Sequence, residues 1–108
     1  MYYIVVTQKF GDIRNTITIA GKNKFTDLFD DNKLMDPRYV MIKDKAFKEI
    51  IADGFSTEEE AMQADDMIEA LEDFIGGIMF NQQYFVMSEE ELKKSYKIVK
   101  QIYEKVAA

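Results

Sequence analysis

Cysteine and histidine are both missing from this chain. The first absence removes disulfides, thiolate nucleophiles and cysteine-based zinc or iron–sulfur sites together. The second removes the commonest general base, the commonest transition-metal ligand and the side chain that changes charge near neutral pH. Ser–His and Cys–His nucleophiles are therefore excluded, as are zinc sites built on nitrogen or sulfur. No apolar run approaches the roughly 18 residues that a membrane-spanning helix needs. The opening segment Met1-Tyr2-Tyr3-Ile4-Val5-Val6-Thr7-Gln8-Lys9 has a short apolar run, no basic residues before it and no small-residue cleavage site after it. It reads as a strand and not as a secretory signal. The expectation is a cytoplasmic domain without membrane contact, cofactor or metal, and not an enzyme.

What is present suits one ordinary domain. The 108 residues are 47% hydrophobic, enough for a core, and 31% charged, more than the usual quarter, so the surface is well solvated. Tyr2 to Phe10 is β-branched and aromatic, and Ile13, Ile17 and Ile19 recur along Ile13 to Ala20. With Gly11-Asp12 between them, the two segments read as an antiparallel hairpin whose isoleucine side faces a core. Phe25 to Asp30 is expected to form one or two helical turns. Pro37, the only proline, biases Asp36 toward extended backbone, and Arg38 to Ile42 reads as a third strand. Asp44 is expected to cap a helix over Lys45 to Asp53, with Gly54 just beyond its end.

Ser56 followed by Glu59 has the spacing of a capping box and opens the longest helix, about Thr57 to Ile75. Its apolar stripe is Ala64, Ile68, Leu71, Ile75 and Ile78, flanked by Ala61, Met67 and Phe74. Gly76-Gly77 ends or loosens it. Gln82 to Met87 is a fourth strand. The last helix has the clearest start: Ser88 as N-cap, Glu91 completing the box, and Met87 with Leu92 as a hydrophobic staple. Leu92, Tyr96, Val99, Tyr103 and Val106 form its stripe. The fold class expected is α+β. It has a small antiparallel or mixed sheet of three to four strands, begun by the hairpin, packed on one face by two longer helices from the C-terminal half.

Charge divides the chain sharply. Residues 1–48 hold nine basic and six acidic side chains, residues 93–108 five basic and one acidic. Residues 49–92 hold thirteen acidic side chains and no basic one. At about 100° per residue, Glu58, Asp65, Glu69 and Glu72 share one face of the long helix, with Glu59, Asp66 and Asp73 beside them. All seven are expected to point away from the apolar stripe, in an array roughly 22 Å long at about 1.5 Å per residue. Met62 falls within this arc as an apolar contact point. Like charges three or four apart destabilise a helix by a few tenths of a kcal/mol per pair, so a sequence chosen for stability alone would intersperse lysines. The blander expectation is a solvated face, neutralised in part by Lys93, Lys94, Lys97, Lys100 and Lys105 on a neighbouring helix.

A row of fixed negative charge repels nucleic acid and attracts the proteins that bind it. The functional expectation is therefore a small inhibitor or regulator that mimics nucleic acid toward a basic, nucleic-acid-handling partner. Glu58, Glu59, Met62, Asp65, Asp66, Glu69, Glu72 and Asp73 would form its binding surface. Small anti-defence proteins of phages and mobile elements are the analogous class by charge and size, which is not a family resemblance. The alternative is a structural or regulatory subunit that assembles, with itself or a partner, through apolar helix faces or a sheet edge. The paired carboxylates Asp65-Asp66, Glu72-Asp73 and Asp30-Asp31 suit a hard cation by ligand type. However, Asp30 to Asp36 lacks the glycine and terminal glutamate of a calcium loop. Gly76-Gly77 matches no phosphate-binding motif.

Overall fold

A computed structural model describes residues 1–10, 14–30, 43–74 and 81–107. The elements follow the order β1 (Tyr2–Phe10), β2 (Arg14–Ala20), β3 (Phe25–Asp30), α1 (Asp44–Ala52), α2 (Glu58–Phe74), β4 (Asn81–Ser88) and α3 (Glu89–Ala107). The fold is α+β, with four antiparallel strands in the order β3-β2-β1-β4.

The N-terminal hairpin forms as its β-branched sequence requires, running from Ile4 opposite Ala20 to Phe10 opposite Arg14. Phe25–Asp30 is a strand rather than helical turns. Six residues are too few to hold a helix unaided, whereas β2 offers an unpaired edge that satisfies their backbone. The pairing slips between Ile17, opposite Phe29, and Thr18, opposite Asp27, which leaves Leu28 as the extra residue of a bulge. The expected strand at 38–42, the Gly11-Asp12 turn, Gly76-Gly77 and the stripe residues Ile75 and Ile78 lie outside the described residues.

Strand β1 explains the layering. Tyr3, Ile4, Val5 and Val6 are all buried, so both faces of the sheet are covered at its centre. On one face Tyr3, Val5 and Ile19 pack with Phe47 and Ile50 of α1 and Leu92 and Tyr96 of α3. On the other, Ile4, Val6 and Ala20 pack with Phe55, Tyr84 and, from α2, Ala64 and Ile68. The expectation of helices on one face only is thereby corrected. A four-residue apolar run without alternation is the pattern of a strand covered on both sides. Each such side chain contributes roughly 1.5–3 kcal/mol when fully buried.

Local signals explain the helix ends. Ser88 Oγ accepts the Glu91 N–H at 3.2 Å and donates to the Glu91 carboxylate at 3.2 Å, and Met87 packs on the cluster that holds Leu92. At α2 the cap is one residue later than expected. Thr57 Oγ1, not Ser56, accepts the Glu60 N–H at 3.2 Å. The run Ser56-Thr57-Glu58-Glu59-Glu60 fits the capping spacing in both frames, and Thr57 takes the role. At α1 the N-cap is Lys43, with extended backbone and no side-chain bond, and Asp44 is the first helical residue. The Asp44 carboxylate instead accepts from Lys100 Nζ at 2.8 Å and from the Tyr96 hydroxyl at 3.1 Å, fastening α1 to α3. The Phe47 and Tyr96 rings stack beside this link, centroids 3.9 Å apart. Gly54 follows α1 as expected, and the need for glycine is space. A Cβ there would lie 2.6 Å from Met1 Cβ and 2.7 Å from the Tyr3 ring.

Candidate functional site

The sheet separates the two charged helices. Helix α3 carries all five lysines of residues 93–108 and lies on the face opposite α2. Two of them are engaged locally: Lys93 bonds Glu89 one turn earlier at 2.9 Å, and Lys100 bonds Asp44. The lysines of α3 therefore do not neutralise the acidic helix. Among the described residues, no basic group lies within ion-pair distance of an α2 carboxylate.

Not every residue of the acidic run is free in this way. The Asp53 carboxylate accepts the backbone N–H of Asn23 at 3.1 Å, the Asn23 side-chain amide at 2.9 Å and the Lys24 N–H at 2.9 Å. Its carbonyl accepts the Lys22 N–H at 2.6 Å, so Asp53 holds the β2–β3 turn against the end of α1. A shallow pocket there, lined by Gly21, Lys24, Ala46, Glu49, Ile50 and Asp53, is thus built around a carboxylate already saturated with donors. Glu89 faces the N-terminal ammonium at 4.0 Å as well as Lys93.

On α2 the inner line is Ala61, Ala64 and Ile68. Ala61 is wholly buried, and Leu71, expected in the stripe, is 61% exposed. Two alanines let the helix sit close over Ile4 and Val6. This rotates it by roughly 30–40° from the expected orientation, at about 100° per residue. The rotation separates the predicted site residues. Glu58, Glu59 and Asp66 are exposed, as is Met62 at 52%, while Glu69 is half-buried. Asp65 does not point away from the core: it is half-buried, and its Oδ1 is covered and without a hydrogen-bond partner. The side chains of Glu72 and Asp73 lie outside those described. Glu60 is exposed too, but at about 100° per residue it lies on the flank of Met67, opposite Glu69.

Carboxylate oxygens of Asp65, Asp66 and Glu69 lie within 4.8 Å of one another. Burial first, then a hydrogen bond with Glu69 and the charges of Glu69 and Asp66, push the Asp65 carboxyl up to about 6. As pH falls toward that value the crowded carboxylates take up a proton, which relieves their repulsion. Three oxygens fall short of the six to eight that calcium takes.

Chirality fixes which side of α2 carries these groups. The backbone of Tyr2 exchanges both hydrogen bonds with Phe55, on the β2 side, while Met1 O accepts the Glu89 N–H on the β4 side. Ile4, two residues on from Tyr2, also turns its N–H and C=O toward β2. Seen from the α2 side with β1 running upward, an L-residue facing the viewer directs those groups to the right. Strand β2 is therefore on the right and β4 on the left. Helix α2 runs upward as well, from Phe55 beside Tyr2 toward the end where Asn81 pairs with Lys9. With Ala61, Ala64 and Ile68 against the sheet, the right-handed turn brings Glu58, Asp65 and Glu69 to the left, above the β4 edge. It brings Met67 and Leu71, 73% and 61% exposed, to the right.

No protein-family model, curated protein or solved structure matches this chain. Among the described residues, no helix is long and apolar enough to cross a membrane.

Proposed function

We propose that the protein is a small, non-enzymatic binding module that inhibits or regulates a basic, nucleic-acid-handling partner in the cytoplasm, its acidic helix standing in for nucleic acid. One observation carries this reading: the sheet lies between the carboxylates of α2 and the lysines of α3, so the acidic surface has no internal counter-charge among the described residues. A surface left uncompensated at a cost in helix stability is accounted for by a charge that arrives from outside. Glu58, Glu59, Asp66 and Glu69 supply the field, and Met62 a central apolar contact.

The test is capture from a bacterial lysate at low and high salt. The wild type is compared with a variant carrying Glu58→Gln, Glu59→Gln, Asp65→Asn, Asp66→Asn and Glu69→Gln. A basic protein held only by the wild type and released by salt is the expected result. Equal capture by both proteins, or capture by neither, overturns the reading. A second reading, assembly through apolar surfaces, rests on exposed Met67 and Leu71; it predicts a complex that salt does not dissociate.

A further inference from the structure

The two edges of the sheet are unequal. Edge strand β3 has six residues, two aspartates (Asp27 and Asp30) and a bulge in its pairing. These are the devices by which proteins keep an edge from accepting another strand. Edge strand β4, Asn81-Gln82-Gln83-Tyr84-Phe85-Val86-Met87-Ser88, has none of them. It is eight residues long, uncharged and free of proline, in a chain that is 31% charged, and its register with β1 is unbroken from Tyr2–Ser88 to Lys9–Asn81. The alternation that turns Tyr3 and Val5 toward β4 turns Phe85 and Met87 toward β1, and so directs the N–H and C=O of Val86 outward.

The two faces beside this edge differ in chemistry. Above it, on the α2 side, stand Glu58, Asp65 and Glu69. Below it, Phe85 shares the face of Val5, its register partner, and is 44% exposed. Lys100 on α3 reaches toward α1, so Ile98, about 160° away at about 100° per residue, lies on the flank toward β4 and is 49% exposed.

We infer that β4 is a strand-addition site for an extended segment of the partner in which basic and apolar side chains alternate, the basic ones rising to the α2 carboxylates and the apolar ones covering Phe85 and Ile98. This deepens the acidic-surface reading and rests on it. Main-chain hydrogen bonds supply affinity in such an addition, and the alternating side chains supply selectivity. Charge decides the occupant. A second copy paired along β4 would bring one acidic α2 beside another, whereas a basic segment meets carboxylates that have no ion-pair partner among the described residues.

The probe is a synthetic peptide of alternating lysine and valine matching the length of β4, followed by fluorescence anisotropy, with the amide exchange of Val86 read by NMR. Binding, slowed exchange at Val86 and no binding of the glutamate–valine counterpart are expected. N-methylation of the peptide on one alternate set of residues, lysines or valines, removes the N–H groups facing β4 and weakens binding about tenfold or more; methylation of the other set does not. If both methylated peptides bind like the parent, strand addition is overturned while the acidic-surface reading stands. If no lysine–valine peptide binds but polylysine does, strand addition again fails alone. If polylysine fails too, both fall. A concentration-dependent dimer of the protein alone that Val86→Pro abolishes would make the occupant a second copy and overturn the proposal.

Discussion

Helices α2 and α3 are similar in length, both begin with three glutamates after a hydroxyl cap, and they treat charge in opposite ways. In α3 the acids sit at the positive end of the helix dipole, Lys105 lies at the negative end, and Lys93 answers Glu89 one turn away. In α2 the acids continue from Glu58 to Asp73 with no base among them. The cores differ as well: α3 buries Leu92, Tyr96 and Val99, whereas α2 touches the sheet through two alanines and a half-buried Ile68 and leaves Met62, Met67 and Leu71 in solvent. One helix is organised to hold the fold together. The other, among its described residues, makes no ion pair and buries little, and the cost falls on the surface that the proposed function uses.

If that contrast is right, equal truncations in the two helices have unequal effects. Leu92→Ala removes a side chain that is 1% exposed and is expected to destabilise by about 2–5 kcal/mol. Leu71→Ala removes one that is 61% exposed and should change stability by about 0.5 kcal/mol or less. Urea unfolding of both variants checks this. Comparable losses would mean that α2 is as structural as α3.

Asp53 tests the converse, an acid that belongs to the fold. Asp53→Ala strips three N–H donors of Asn23 and Lys24 of their acceptor and is expected to cost about 1–3 kcal/mol. Binding of a basic partner per folded molecule should be unchanged, because Asp53 lies beside the β2–β3 turn and not on α2.

Asp65 should behave in the opposite sense. Its carboxyl is raised from 3.8 to about 6, so the folded chain holds this proton more tightly than the unfolded chain does. The resulting stabilisation is fully present below the ordinary value and is lost as pH rises through about 6. Above that, the ionised group is a net burden. Asp65→Asn is therefore expected to stabilise the protein by roughly 1 kcal/mol above pH 7, after allowance for solvent screening of a half-exposed group. The gain should fade toward pH 4. Asp44 supplies the contrast across the sheet. Lys100 and Tyr96 hold its carboxyl below the usual range, so its contribution is present above the ordinary pKa and is lost as pH falls. Thermal unfolding of Asp65→Asn and Asp44→Asn across pH should give differences of opposite sign.

The sequence made some of this legible. The hairpin, β4, α3 and its capping box follow from local chemistry: β-branched alternation, a hydroxyl three residues before a glutamate, a staple. The placement of α2 did not follow. Ala64, Ile68 and Leu71 make as regular a stripe as Ala61, Ala64 and Ile68, and periodicity cannot say that small residues win when a helix must come close to a sheet. For the same reason Asp65 read as exposed. That the sheet divides acids from lysines was present only as the unbroken apolar run Tyr3-Ile4-Val5-Val6, a sign of two covered faces. Phe25–Asp30 became a strand because β2 had an edge to fill, which is tertiary information.

The smallest expected effect bears most directly on why α2 has no lysine. Gln63 is exposed and lies four residues after Glu59 and three after Glu60. Gln63→Lys supplies the counter-charge in the favourable order, glutamate before lysine, and is expected to stabilise the helix by about 0.3–0.5 kcal/mol. For a domain of this size that is a rise of about 1–2 °C in Tm, an increment that added salt should shrink. The same change places a positive charge within the acidic surface and should weaken capture of a basic partner. A gain in Tm together with a loss of binding would show that the missing lysine is a requirement of recognition. A gain in Tm with binding intact would return the acidic face to solvated surface, and the search for function would move to Met67 and Leu71.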